Sequence, residues 1–194
     1  MFAGALNSDP LWYEGSFSGL GMTSSNSRQV FNYGLVITGL LIVAWSQFLL
    51  DDLRVLVQRG YTTEKYLNWM RILFIVAGVF LGMVGVVRWG IGFWGNVLHD
   101  VFAGGAGAAL AIVLVGMYWF IPHFVKWFYY FSWGILALIV MAVVLKLVGY
   151  FSLTGIELMG FGSASIWLLV SMRSAQNLVN RVDPSVYSVP EARG

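Results

Sequence analysis

VFNYGLVITGLLIVAWSQFLL, residues 30–50, decides the fold class. The run carries no charged side chain. A helix needs ~20 mostly apolar residues to cross the hydrocarbon core of a bilayer, and Val30–Leu50 supplies them. Four further runs of that kind follow. One lies at about Trp69–Val87 and is broken only by Arg71 near its start. Another is Val97–Ile121, with His99 and Asp100 in its first turn. The last two are about Trp127–Tyr150, with Lys146 near its end, and about Leu153–Met172, with Glu157 near its start. The runs are too long for strands and lack strict alternation. The reading is all-α: a polytopic transmembrane helix bundle of five spans, multi-pass in the cell membrane.

Composition agrees. Apolar residues make up 59% of the chain and charged residues 10%, against roughly 25% charged in a soluble domain. Such a chain cannot coat a soluble surface with charge. The net charge is +2, but the basic residues sit singly between apolar runs and form no patch, so no nucleic acid is expected as a partner. There is no cysteine, which excludes disulfides and thiolate metal sites.

Lys and Arg set the direction. Arg54, Arg59, Lys65, Arg71, Lys126, Arg173, Arg181 and Arg193 fall on one side, and Arg28 and Arg88 on the other. This bias predicts the N-terminus outside and the C-terminus in the cytoplasm. Residues 1–28 then form an exoplasmic N-terminal segment, residues 29–173 the five-helix bundle and residues 174–194 a cytoplasmic tail, expected to be extended. The first segment has neither the charged n-region nor the apolar h-region of a signal peptide. Its export therefore requires either a reverse-anchor first span or an upstream helix. Leu50, Leu53, Leu56 and Val57 keep helical spacing, so the first helix is expected to continue past the membrane as far as Gly60. Thr62 is the expected N-cap of the second helix, with Glu64 in its first turn. Trp89, Phe93 and Trp94 suit the outer interface, and Trp69, Trp119, Phe120 and Trp127–Tyr130 the inner one, unless some of these rings pack between helices.

Small residues indicate close helix packing. Gly78 and Gly82 are four apart on the second span, and Ala103, Gly107 and Ala111 repeat that spacing on the third. Such faces let helix backbones approach in lipid, within one bundle or between copies. No internal repeat suggests an inverted-repeat transporter.

Charges inside spans are costly and point to function. Arg88, His99, Asp100, Lys146 and Glu157 all fall at the outer-leaflet level. Balanced charges at one depth suggest a shared polar pocket. It would act as an ion-pair lock, as a site for a lipid headgroup or small ligand, or as an acid/base or metal site. Against the last, the chain has no HExxH, GxSxG or Gly-rich phosphate motif. No catalytic residue, metal or cofactor is assigned. His123 after Pro122 reads as a boundary residue.

Two stretches carry a resemblance. One is Phe17-Ser18-Gly19-Leu20-Gly21 followed by Phe31-Asn32-Tyr33-Gly34-Leu35 and Gly39-Leu40-Leu41. The other is Leu98-His99-Asp100 with Ala103, after Arg88 and Gly90. Together they resemble a prokaryotic six-helix membrane family of unknown function, the domain-of-unknown-function nine-nine-eight type. That family is distantly similar to the eukaryotic damage-regulated autophagy modulator family. The resemblance implies six helices, with the Phe-Asn segment opening the second, whereas here no span precedes residue 30. If a helix is missing, a partner chain would supply its packing. The resemblance implies lipid-related roles and carries over His99 and Asp100. The leading expectation is a non-enzymatic membrane protein that binds or organises lipid through an outer-leaflet polar pocket. The alternatives are an accessory subunit that packs on other membrane proteins, and an intramembrane hydrolase or transferase using His99, Asp100 and Glu157.

Overall fold

The computed structural model describes residues 20–21, 25–87, 89–90, 92–121, 124–150 and 152–184. Arg88, His123, and the N-terminal patches Leu11-Trp12-Tyr13 and Phe17 lie outside the described residues. Five helices follow in order: α1 (Ser25–Gln58), α2 (Glu64–Val86), α3 (Gly92–Phe120), α4 (Lys126–Leu147) and α5 (Leu153–Val182). Each is long and apolar enough to cross a membrane. The shortest, α4, has 22 residues, or about 33 Å at 1.5 Å per residue, just over the thickness of a bilayer core.

The first helix does run on past its apolar span, and stops at Gln58. Gly60 takes a left-handed φ of +76° in the turn that follows, a conformation that suits glycine. Leu49, Leu50, Leu53 and Leu56 are all buried, so the extension is held by packing rather than by propensity. The cap of α2 falls one residue later than expected. Thr63 is the N-cap, and the Thr62 hydroxyl instead donates to the carbonyl of Phe120 at the end of α3. Glu64 occupies the first turn, as expected.

The stretch after Ser174 departs from the expected extended tail. α5 continues unbroken to Val182, with Ser174, Ala175 and Val179 buried. Ala175 and Val179 sit four apart and keep the apolar stripe alive among polar neighbours. α5 packs on α1, and Arg59 pairs with Asp183 where both helices end.

Neighbouring helices pack in the order α3–α2–α1–α5–α4, with α3 and α4 meeting far less. α1 and α2 approach most closely, through glycine. A Cβ on Gly78 would stand 2.5 Å from the Gly39 carbonyl oxygen and 2.5 Å from Val43 Cγ2, and one on Gly85 would stand 2.5 Å from the Asn32 carbonyl oxygen. The Gly78 and Gly82 face is therefore spent inside the bundle. On α3, Ala103, Gly107 and Ala111 are exposed, and nothing lies within 4 Å of a Cβ on Gly107. The buried face of α3 is instead Ala106, Ala109, Val113, Gly116 and Met117.

The core is weighted toward the end that the Lys/Arg count assigns to the cytoplasm. Met70, Phe74, Met117, Ile121, Phe128 and Trp167 are fully buried there. Phe128 belongs to this core, whereas Trp119, Trp127 and Tyr130 are exposed. α3 and α4 meet at that end through Tyr118 and Tyr129, whose ring centroids are 5.4 Å apart. The Tyr129 hydroxyl donates to the carbonyl of Ile121. Higher up, α4 buries only Ser132 and Ala142. Ser132 joins α4 to α5, because Trp167 Nε1 donates to its Oγ at 3.0 Å. That hydroxyl donates in turn to the Phe128 carbonyl at 2.9 Å.

Candidate functional site at one end of the bundle

His99, Asp100, Lys146 and Glu157 lie at one end of the bundle, each near the helix terminus that the Lys/Arg count assigns to the outside. Their environments differ. His99 is 5% exposed, and its Nδ1 stands 2.8 Å from the carbonyl oxygen of Val87, the C-cap of α2. A carbonyl only accepts, so Nδ1 carries the hydrogen. His99 thus fastens the start of α3 to the end of α2. Asn96, which no motif in the sequence marks, braces the same turn: its Oδ1 accepts from the Gly90 N–H at 2.5 Å. Asp100 and Lys146 are exposed, and neither forms an ion pair among the described residues. Glu157 is half-buried on α5, just beyond the Ser152 cap that accepts from the Gly155 N–H at 3.1 Å. Among the described residues, no group of three His, Asp or Glu side chains is placed to hold a metal ion.

A cleft of about 270 Å³ opens at the same end, between α1 and α2. Arg28, Gln29, Asn32, Tyr33 and Val36 line it from α1, and Gly85 and Val86 from α2. The helical spacing of 28, 32 and 36, and of 29 and 33, puts these side chains on one stripe of α1. Gly85 closes the floor, since its missing side chain lets α2 come against the α1 backbone beneath the opening. Gly21 presses on the stripe from outside: a Cβ there would stand 2.9 Å from Asn32 Oδ1 and 3.2 Å from Phe31 Cδ1. The cleft has two chemical levels. Arg28, Gln29, Asn32 and Tyr33 supply a cation and uncharged donors, and Val36 and Val86 supply apolar wall. In the sequence alone Arg28 bears only on orientation. Its spacing of four from Asn32 and eight from Val36 was the available signal, but the partner wall on α2 is not visible in sequence.

A family model described as Protein of unknown function (DUF998) matches residues 1–174. No curated protein and no solved structure matches the chain.

Proposed function

We propose that this chain, which belongs to the DUF998 family of proteins of unknown function, is a non-enzymatic multi-pass protein of the cell membrane that binds lipid at its outer end. The observation that carries the reading is the two-level cleft between α1 and α2. A phospholipid has the same two levels. Its phosphate suits the half-buried Arg28, whose planar fork of donors matches phosphate oxygens. Gln29, Asn32 and Tyr33 offer hydrogen bonds to glycerol and ester oxygens, and Val36 and Val86 offer surface to an acyl chain. Amides and a guanidinium accept no proton at neutral pH, so the groups lining the cleft favour binding over acid/base chemistry. A hydrolase built on His99, Asp100 and Glu157 has less support, because His99 is buried and engages Val87 through Nδ1.

The test is native mass spectrometry in mild detergent after exchange into phosphatidylglycerol and phosphatidylcholine. Arg28→Gln should lower retention of the anionic lipid by about fivefold, the loss of one charge-assisted contact in a partly screened site. Equal retention by the variant and the parent would reject the cleft as the lipid site.

A second reading, an accessory subunit of a larger complex, draws on the exposure of Ala103, Gly107 and Ala111 together with the thin packing of α4. Cross-linking from α3 or α4 to another protein in native membranes would favour it.

A further inference from the structure

Arg71 lies seven residues into α2, about 10 Å from its start. It is half-buried. Its Nη1 makes one long hydrogen bond, 3.3 Å to Asn68 Oδ1, and its Nη2 is buried with no partner. An arginine that snorkels would carry both terminal nitrogens out to water. This one keeps Nη2 under protein. Nor does any acid of the described chain neutralise it. Arg54 and Arg59, at the same end of the bundle, are paired with Asp51 and Asp183, whereas Arg71 and Lys65 are in no ion pair among the described residues. A positive charge held within a span without a counter-ion calls for one from outside the chain.

The register of the helices sets the depth of this charge. Gly85 stands against Asn32, and Gly78 against Gly39 and Val43. A further step of seven brings Arg71 level with Ser46 and Leu50. The Arg59–Asp183 pair fixes α5 beside α1, which puts Ser171 and Ser174 at the same depth. Ser174 Oγ is also buried without a partner. Exposed Trp69 marks this depth as interfacial.

From this arrangement we infer that Arg71 binds the phosphate of an anionic phospholipid from the leaflet opposite the α1–α2 cleft. The exposed part of the guanidinium gives the phosphate oxygens single charge-assisted hydrogen bonds, since both forked edges of the group include the buried Nη2. Asn68, whose Oδ1 is held by Arg71, turns its amide N–H groups to the same ligand, and exposed Lys65 adds charge on the water side. This site does not depend on lipid binding at Arg28.

The experiment titrates phosphatidylglycerol, phosphatidylcholine or inorganic phosphate into the Arg28→Gln protein in mild detergent, and follows bound mass and thermal midpoint. That background removes the outer cleft, so failure there and failure here are separable. Phosphatidylglycerol should bind at least about tenfold more tightly than phosphatidylcholine, and Arg71→Gln should abolish the preference. Inorganic phosphate alone should raise the midpoint little. A preference that survives Arg71→Gln would overturn the proposal, and so would an equal shift with inorganic phosphate, which would leave an anion site without lipid selectivity. Should Arg71→Gln not fold, the exposed pair Lys65→Gln with Asn68→Leu serves instead. It should weaken phosphatidylglycerol about threefold or more, and an unchanged affinity would equally reject the site.

Discussion

Replacing Gly78 by alanine isolates the close approach of α1 and α2. The added Cβ would stand 2.5 Å from the Gly39 carbonyl oxygen and 2.5 Å from Val43 Cγ2, where ordinary contact begins at 3.4 Å. Val43 can rotate, but the carbonyl is helix backbone and cannot. The helices must therefore part locally by about 0.9 Å. A gap of that size forfeits a quarter to a half of each dispersion contact along the seam. Overpacking of this kind costs about 1–3 kcal/mol. Alanine returns about 1 kcal/mol through helix propensity, leaving a net loss of about 0–2 kcal/mol. For a chain of this size that lowers the melting midpoint by up to about 8 °C, whereas the control should gain. Gly107→Ala is the control, since nothing lies within 4 Å of the new Cβ and the propensity gain stands alone. Both variants are melted in the same detergent and followed by circular dichroism. Equal midpoints for Gly78→Ala and Gly107→Ala would refute the idea that contact geometry, rather than glycine content, sets stability here.

Ser132→Ala should destabilise the protein by about 1–3 kcal/mol, because it strands the buried indole N–H of Trp167. Trp167→Phe in the same background should add less than it does alone, and full additivity in denaturant melts would deny the coupling. The inferred direction is tested with cysteines at Ser18 and Ser185 and an impermeant thiol reagent on intact cells. Ser18 should label and Ser185 should not, and the reverse pattern would invert the topology.

The spans were legible because bilayer thickness writes itself into the length of each apolar run, and the α1 extension because Leu50, Leu53 and Leu56 repeat at helical spacing. The end of α5 was not, because Asn177, Asn180 and Arg181 hide the Ala175–Val179 stripe that packs on α1. The packing face of α3 was misleading for another reason. That helix is apolar nearly all round, so several four-residue spacings of small residues compete, and only the placement of α2 selects the Ala106–Ala109–Val113 face. The partner of Gly78 also lies beyond sequence reach: Gly39 belongs to another helix, and pairing between helices leaves no local pattern. The family was legible from short motifs around Phe31-Asn32 and Leu98-His99-Asp100, and the match over residues 1–174 agrees with it. The charged residues at the outer end shared a depth in sequence, but depth alone does not reveal that His99 turns to a backbone carbonyl while Asp100 turns outward.

The α3–α4 seam, joined by Tyr118, Tyr129 and Ile121 at one end and packed thinly elsewhere, gives the bundle unequal compliance along the membrane normal. The tyrosine end acts as a clasp of fixed cross-section. The far end can spread or narrow with little loss of contact, since few side chains interlock there. Lateral pressure in the two leaflets therefore acts on the protein asymmetrically: stretching or thinning the bilayer acts first on the α3–α4 side of that half, while the glycine seam of α1 and α2 holds the two walls of the cleft together.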